Sequence, residues 1–172
     1  VFFALSHGVH RGTLKIGKSD DRALFVRKLI DKTKNVKFDV YGINKVQPIW
    51  ADHYFKTISN SKMGLNLSRG DAIKYYSSDR ITQIIGNGLV CLIDEKTKYR
   101  DFFNENEMVF YKSISDLSEK ILKISNDEKL RKKIARKGKD KYMKYFNSTL
   151  VANFIIEKIL GKKSKKKYLW HN

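Results

Sequence analysis

The 172-residue sequence predicts a three-layer α/β domain with a mainly parallel sheet, closed by a helical carboxyl-terminal segment. Three observations predict it. Residues 1–5, 63–67 and 89–93 are short, largely apolar runs, the pattern of strands covered on both faces. Segments with helical spacing of apolar residues separate the strands, and that alternation favours parallel pairing with helices on both faces. Glycines and hydroxyl-rich turns mark the junctions, as at Ser77, Ser78, Gly86 and Gly88.

Residues 1–5 open the chain as a strand already under way, which suggests a piece of a larger protein. A polar loop follows over 6–18, and Ser19 or Asp20 caps a helix over 21–32. Its apolar face reads as Leu24, Phe25, Leu29 and Ile30. Residues 37–40 alternate into a strand that ends at Tyr41 and Gly42. Pro48, the only proline, marks the turn before a helix over 50–59, in which Trp50, Tyr54 and Ile58 share a face.

The central unit comes next. A strand over 63–67 leads through a polar loop to Ser77, Ser78 and Asp79, then to a short helix over 80–85. Gly86 and Gly88 stop that helix before the strand 89–93. A strand-loop-helix junction of this kind points free backbone N–H groups at one place, the usual anion or nucleotide site of an open α/β sheet. A short helix over 99–103 and a strand over 107–111 follow. From Ser113 the chain turns helical: Ile114, Leu117, Ile121 and Leu122 recur at helical spacing. A basic helix over 127–146 carries Leu130, Ile134, Tyr142 and Tyr145 inward, and a last helix covers 150–160. The chain divides into one domain over 1–160 and a basic tail over 161–172.

Charge bounds the partners. Lys and Arg number 36 against 18 Asp and Glu, a formal net charge of +18, which draws phosphates, nucleic acid or acidic lipid. No RNA- or DNA-binding motif accompanies the charge, so no specific nucleic-acid partner is expected. The cations Lys129, Arg131, Lys132, Lys133, Arg136, Lys137 and Lys139, with the lysines of 162–167, read as a solvated face or a surface for acidic lipid. Tyr168, Leu169 and Trp170 are candidate interfacial anchors. The lone Cys91 sits in an apolar strand and forms no intramolecular disulfide, which fits a reducing compartment. No run reaches the length of a membrane span and residues 1–5 lack the form of a signal peptide, so a cytoplasmic location follows, with room for peripheral contact at the membrane's inner face.

Two stretches carry candidate chemistry. In the first loop Gly8 and Gly12 flank Arg11, and Gly17 stands between Lys15 and Lys18. Cations on a flexible backbone at a strand's carboxyl end can neutralise a diphosphate, although a solvated basic loop has the same composition. Arg80, amid apolar helix positions, needs either an anionic ligand or an ion pair with Asp79, Asp94 or Glu95. Tyr75 and Tyr76 offer rings to a base or sugar, or belong to the core. His7 and His10 lack the further ligands of a metal centre, and no Ser-His-Asp or Cys-His set stands out.

The run from Tyr76 to Gly88 resembles the Ser-x-Arg-x-x-Glu-x-x-x-x-Gly signature of bacterial glycosyltransferases of the CgeB-like group, within the broader group 1 glycosyltransferases. Further matching pieces follow in order: Asp101-Phe102-Phe103, Val109-Phe110-Tyr111, Leu117 to Ile121, and Arg131-Lys132-Lys133-Ile134-Ala135-Arg136-Lys137-Gly138. The resemblance implies a Rossmann-like fold, the carboxyl-terminal donor-binding half of a two-domain GT-B enzyme. Such a half holds a nucleotide-diphosphate sugar against an amino-terminal acceptor domain, which takes a glycan or lipid-linked acceptor for cell-envelope polysaccharide.

By position, the resemblance assigns leaving-group stabilisation to Arg11 and Arg80, with Lys15 or Lys18 on the diphosphate and no metal required. Tyr41 and Gly42 would lie near the base, and Ser77 and Ser78 near the phosphates or sugar. The backbone from Gly86 to Gly88 would approach the nucleotide. One departure stands out. Many retaining relatives carry Glu-x7-Glu, whose second glutamate grips the ribose hydroxyls, whereas here Gln83 occupies that position and Tyr75 the first. Gln83 can still hydrogen-bond a ribose, but without charge. A non-catalytic basic module for anionic polymer or membrane is the competing reading.

Overall fold

The computed structural model describes residues 1–5, 13–14, 18–19, 21–43, 45–162 and 168–171, with the side chains of 13, 14, 18 and 19 outside that description. The elements run β1 (Phe2–Ala4), β2 (Thr13–Leu14), β3 (Lys18–Ser19), α1 (Asp21–Lys32), β4 (Asp39–Tyr41), α2 (Ala51–Asn60) and β5 (Met63–Asn66). They continue with α3 (Asp79–Gly86), β6 (Val90–Asp94), two 3-10 turns (Glu95–Thr97 and Tyr99–Asp101) and β7 (Val109–Tyr111). Three helices close the described chain: α4 (Ile114–Asn126), α5 (Glu128–Tyr145) and α6 (Ser148–Ile159).

Five strands form one all-parallel sheet in the order β4-β1-β5-β6-β7, while β2 and β3 make a small antiparallel pair. This is the α/β, Rossmann-like architecture the sequence predicts. Period-two alternation splits the strand residues between two cores. Phe3, Leu65, Leu92 and Tyr111 face α1 and α4, whereas Phe2, Cys91, Ile93 and Phe110 face α2 and α3. Both faces are buried, which is why the strands read as continuous apolar runs.

From β1 the chain moves outward to β4, then crosses back over β1 to reach β5. Right-handed crossovers in opposite directions must place their helices on opposite faces, so the reversal at β1 also separates α1 from α2 and α3. Gly64 lets α3 sit directly on β5: a Cβ there would come within 2.4 Å of Ile84 Cγ1.

Two expectations need correction. The inward stripe of α1 is Arg22, Val26 and Leu29, while Leu24 is 50 % exposed and Ile30 also faces solvent. Phe25 and Leu29 of the expected face do pack on the core. The second correction concerns the aromatic residues of the tail. Tyr168 is buried against Phe154, with ring centroids 5.0 Å apart, and Trp170 packs at a tilt against Phe146 at 5.4 Å. These rings belong to the fold, so they do not stand free as lipid anchors. Among the described residues, no helix is long and apolar enough to cross a membrane.

Candidate functional site

In a parallel sheet every helix that follows a strand starts at the strand's carboxyl end. At the carboxyl end of β1, where the strand order reverses, a cleft of about 320 Å³ opens. Such a reversal leaves a crevice that no crossover helix covers. Its floor is Phe2, Ala4 and Leu5. Arg22 enters from the first turn of α1, Trp50 and Tyr54 line one side from α2, and Asp79, Arg80 and Gln83 line the other from α3.

The helix starts at this cleft differ from those elsewhere. Helices α4, α5 and α6 are capped by their own side chains, with Ser113, Asp127 and Asn147 accepting from the amides of Asp116, Leu130 and Leu150. Neither α2 nor α3 has a side-chain cap. Trp50 has no group to offer, and the Ser78 hydroxyl donates instead to Asn66 Oδ1 at 2.9 Å. The starts of both helices, with the positive ends of their dipoles, therefore border the cleft.

Two arginines add to that field. Arg80 donates from Nη1 to the Leu67 carbonyl at 3.1 Å, and its guanidinium lies 5.2 Å from the centre of the Phe3 ring. Burial pushes its pKa down, and the nearby cation of Arg22 pushes it further the same way. Arg22 itself is buried, at 7 % exposure. Desolvating Arg80 beside a like charge is costly, and an anion bound at its guanidinium would relieve that penalty. Of the carboxylates expected to pair with Arg80, Asp94 accepts from the Lys96 amide and Glu95 lies 3.4 Å from Arg100. Asp79 alone of the three lines the cleft.

The remaining candidates separate by location. Gln83 is half-buried on the cleft wall, in place to donate or accept. Tyr41 ends β4 with its ring 5.8 Å from His53. Gly42 adjoins it with φ +80°, packed so tightly on β1 that a Cβ would meet the Leu5 carbonyl oxygen. Neither lines the cleft. Ser77 is exposed and bonds Tyr99 rather than the cleft. Because α3 runs antiparallel to the strands, Gly86 and Gly88 fall at the amino end of β6, facing Met143 and Lys139 of α5. That is the far end of the sheet from the cleft, and neither glycine lines it.

Tyr75 packs on Phe102 at 4.9 Å and hydrogen-bonds Asp101, which removes it from the candidate rings. Arg11 and Lys15 lie outside the described residues, as do His7 and His10, and so does the side chain of Lys18. Cys91 is buried, and burial pushes its thiol up to about 12, so it is no nucleophile. Among the described residues no group of three His, Cys, Asp or Glu could hold a metal ion.

Sequence reasoning missed Arg22, Trp50 and Tyr54 as members of the cleft. The signal for Arg22 was present: it continues the inward stripe of Val26 and Leu29 one turn earlier, at the start of a helix that follows the first strand. A cation there has a strand end and two other helix starts for neighbours.

A search among curated proteins found no match to the chain. A family model described as "Glycosyl transferase-like" matches residues 22–157, a span that begins at Arg22 and includes Trp50, Arg80 and Gln83. The match covers most of the chain, which therefore belongs to the glycosyl transferase-like family.

Proposed function

We propose that this domain binds the diphosphate of a nucleotide sugar in the cleft at the end of β1 and supports transfer of the sugar to an acceptor. The observation that carries the reading is the convergence of Arg22, Arg80 and two uncapped helix starts on one crevice. In such a transfer an acceptor hydroxyl attacks the anomeric carbon and the bond from that carbon to the diphosphate oxygen breaks. The proton leaves with a base on the acceptor side. Negative charge grows on the departing diphosphate, and fixed cations and amide dipoles favour that charge more than the ground state.

The role of a metal in neutralising the leaving group falls to these groups in this reading, with Arg11, Lys15 and Lys18 joining from the basic loop before α1. Gln83 takes a ribose hydroxyl. A glycan or lipid-linked acceptor, an amino-terminal acceptor domain and contact with an acidic membrane complete the proposal.

Thermal-shift titration tests it. Uridine and guanosine diphosphates should stabilise the protein well beyond inorganic phosphate, and Arg80→Ala and Arg22→Ala should each abolish most of the gain. Equal response to all anions would count against the cleft. One observation favours the competing basic module: Lys129, Lys132, Lys133 and Arg136 gather on one face of α5. That reading predicts binding to any polyanion, steeply weakened by salt and indifferent to Arg80.

A further inference from the structure

We infer that the indole of Trp50 is the platform on which the base of the bound nucleotide stacks, which makes it a specificity-determining residue of the cleft. The inference rests on the diphosphate reading above and adds the other end of the ligand.

Trp50 is 61 % exposed although it lines the cleft wall. Its backbone is firmly held: Ile49 is buried in the core beside it, and the Trp50 carbonyl accepts from the Tyr54 amide at 3.3 Å. A large apolar ring on a held backbone is thus left mostly in water, an arrangement that gains little for the fold by itself. Tyr54, four residues on, continues the same helix face inward. Its ring is half-buried, edge-on to Phe2 at 5.5 Å, and close enough to Arg80 to feel its charge.

The two walls therefore differ in kind. One carries the aromatic rings of Trp50 and Tyr54, and the other, from Arg80 to Gln83, is cationic and hydrogen-bonding. A ligand that suits both has an anionic end and a flat apolar end. With the diphosphate drawn to Arg22 and Arg80, the base of a nucleotide extends outward along α2 to the indole. Stacking on an indole is tolerant of base identity, because every base has a π face. Trp50 therefore selects nucleotides over bare diphosphate, while choice among bases needs groups that reach the base edge.

The protein has two tryptophans, Trp50 and Trp170. In a Trp170→Phe background the Trp50 indole is the sole indole reporter. Uridine and guanosine diphosphates should quench its fluorescence, and inorganic pyrophosphate should not. Trp50→Ala in the otherwise unaltered protein should weaken both nucleotides by about tenfold or more and leave pyrophosphate affinity unchanged, with Trp50→Phe restoring most of the loss. Nucleotides that bind no better than pyrophosphate, or that bind Trp50→Ala undiminished, overturn the stacking and leave the diphosphate site standing. Quenching only by a complete sugar nucleotide would hand Trp50 to the sugar instead and also overturn it. Failure of the unaltered protein to bind either nucleotide or pyrophosphate takes both readings down together.

Discussion

Ser78 stands at the start of α3, yet its hydroxyl reaches back to Asn66, donating to Oδ1 across a 2.9 Å bond between residues twelve apart. Asn66 is the last residue of β5 and is buried. The bond joins the end of a central strand to the loop that delivers Arg80, and it withholds a cap from the helix.

Ser78→Ala should therefore cost more than an ordinary surface change. Asn66 Oδ1 would lose its donor in a buried setting, a loss of roughly 1–3 kcal/mol in urea denaturation. An unchanged midpoint would show that the bond contributes nothing, and the loop would then need another anchor.

Gly64 offers a second test of how α3 is placed. With a Cβ only 2.4 Å from Ile84 Cγ1, Gly64→Ala should destabilise by about 1–3 kcal/mol through overpacking. Ile84→Ala makes room in the same spot, so the double variant should lose less than the sum of the single ones. Additive losses would mean that the helix and strand do not touch there.

The strands and helices were legible because each side chain in the sheet answers to one period. Phe2 and Phe3 go to opposite faces, and both are buried, so a continuous apolar run was an accurate sign. Arg80 was legible for a related reason, since a cation among Ile81, Ile84 and Ile85 contradicts its surroundings. Arg22 carried a fainter mark, its place one turn before Val26 and Leu29, because one charged residue at a helix start looks like any solvated one until the fold brings β1 and α3 beside it. Trp50 carried no signal of its own. Its neighbour Ile49 is buried and Tyr54 half-buried, whereas the indole is 61 % exposed. Gly86 and Gly88 were read toward the cleft because they adjoin the α3 sequence, but a helix of eight residues separates its two ends. At about 1.5 Å rise per residue it runs roughly the length of the four-residue strand β5 beneath it.

Asp116 gives the fold a pH signature. Its carboxylate accepts from the Lys112 amide and from Lys120 Nζ, each at 2.9 Å, and Lys120 also donates to the Phe110 carbonyl at 2.7 Å. Burial alone would raise its pKa, but the bonds from Lys120 and Lys112 outweigh it and hold the group below the ordinary carboxylate range. A folded pKa below the unfolded one means the charged form stabilises the fold above the unfolded value, and that stability fades as pH falls through the folded one. The stability gap between the natural protein and Asp116→Asn should thus be widest near neutrality and shrink through the acid range. A gap that does not vary with pH would remove the carboxylate's charge from the account.

The end of the described chain makes the last prediction. Tyr168 donates its hydroxyl to Glu157 Oε2 at 3.0 Å and packs on Phe154, while Trp170 lies 5.4 Å from Phe146 and 6.1 Å from Phe154. These rings cover α6 and the end of α5. Deleting residues 168–172 should therefore lower stability by about 2–4 kcal/mol, the range for uncovering large core aromatics. Tyr168→Phe keeps the ring and should cost only about 0.5–1.5 kcal/mol for the hydrogen bond. The same packing sets what lipid can do here. In a Trp50→Phe background, acidic vesicles should leave the Trp170 emission maximum where it is, because the indole is already seated against protein. A blue shift on adding vesicles would mean that the tail leaves Phe146 and Phe154 for the bilayer, and that its packing is the weaker of the two contacts.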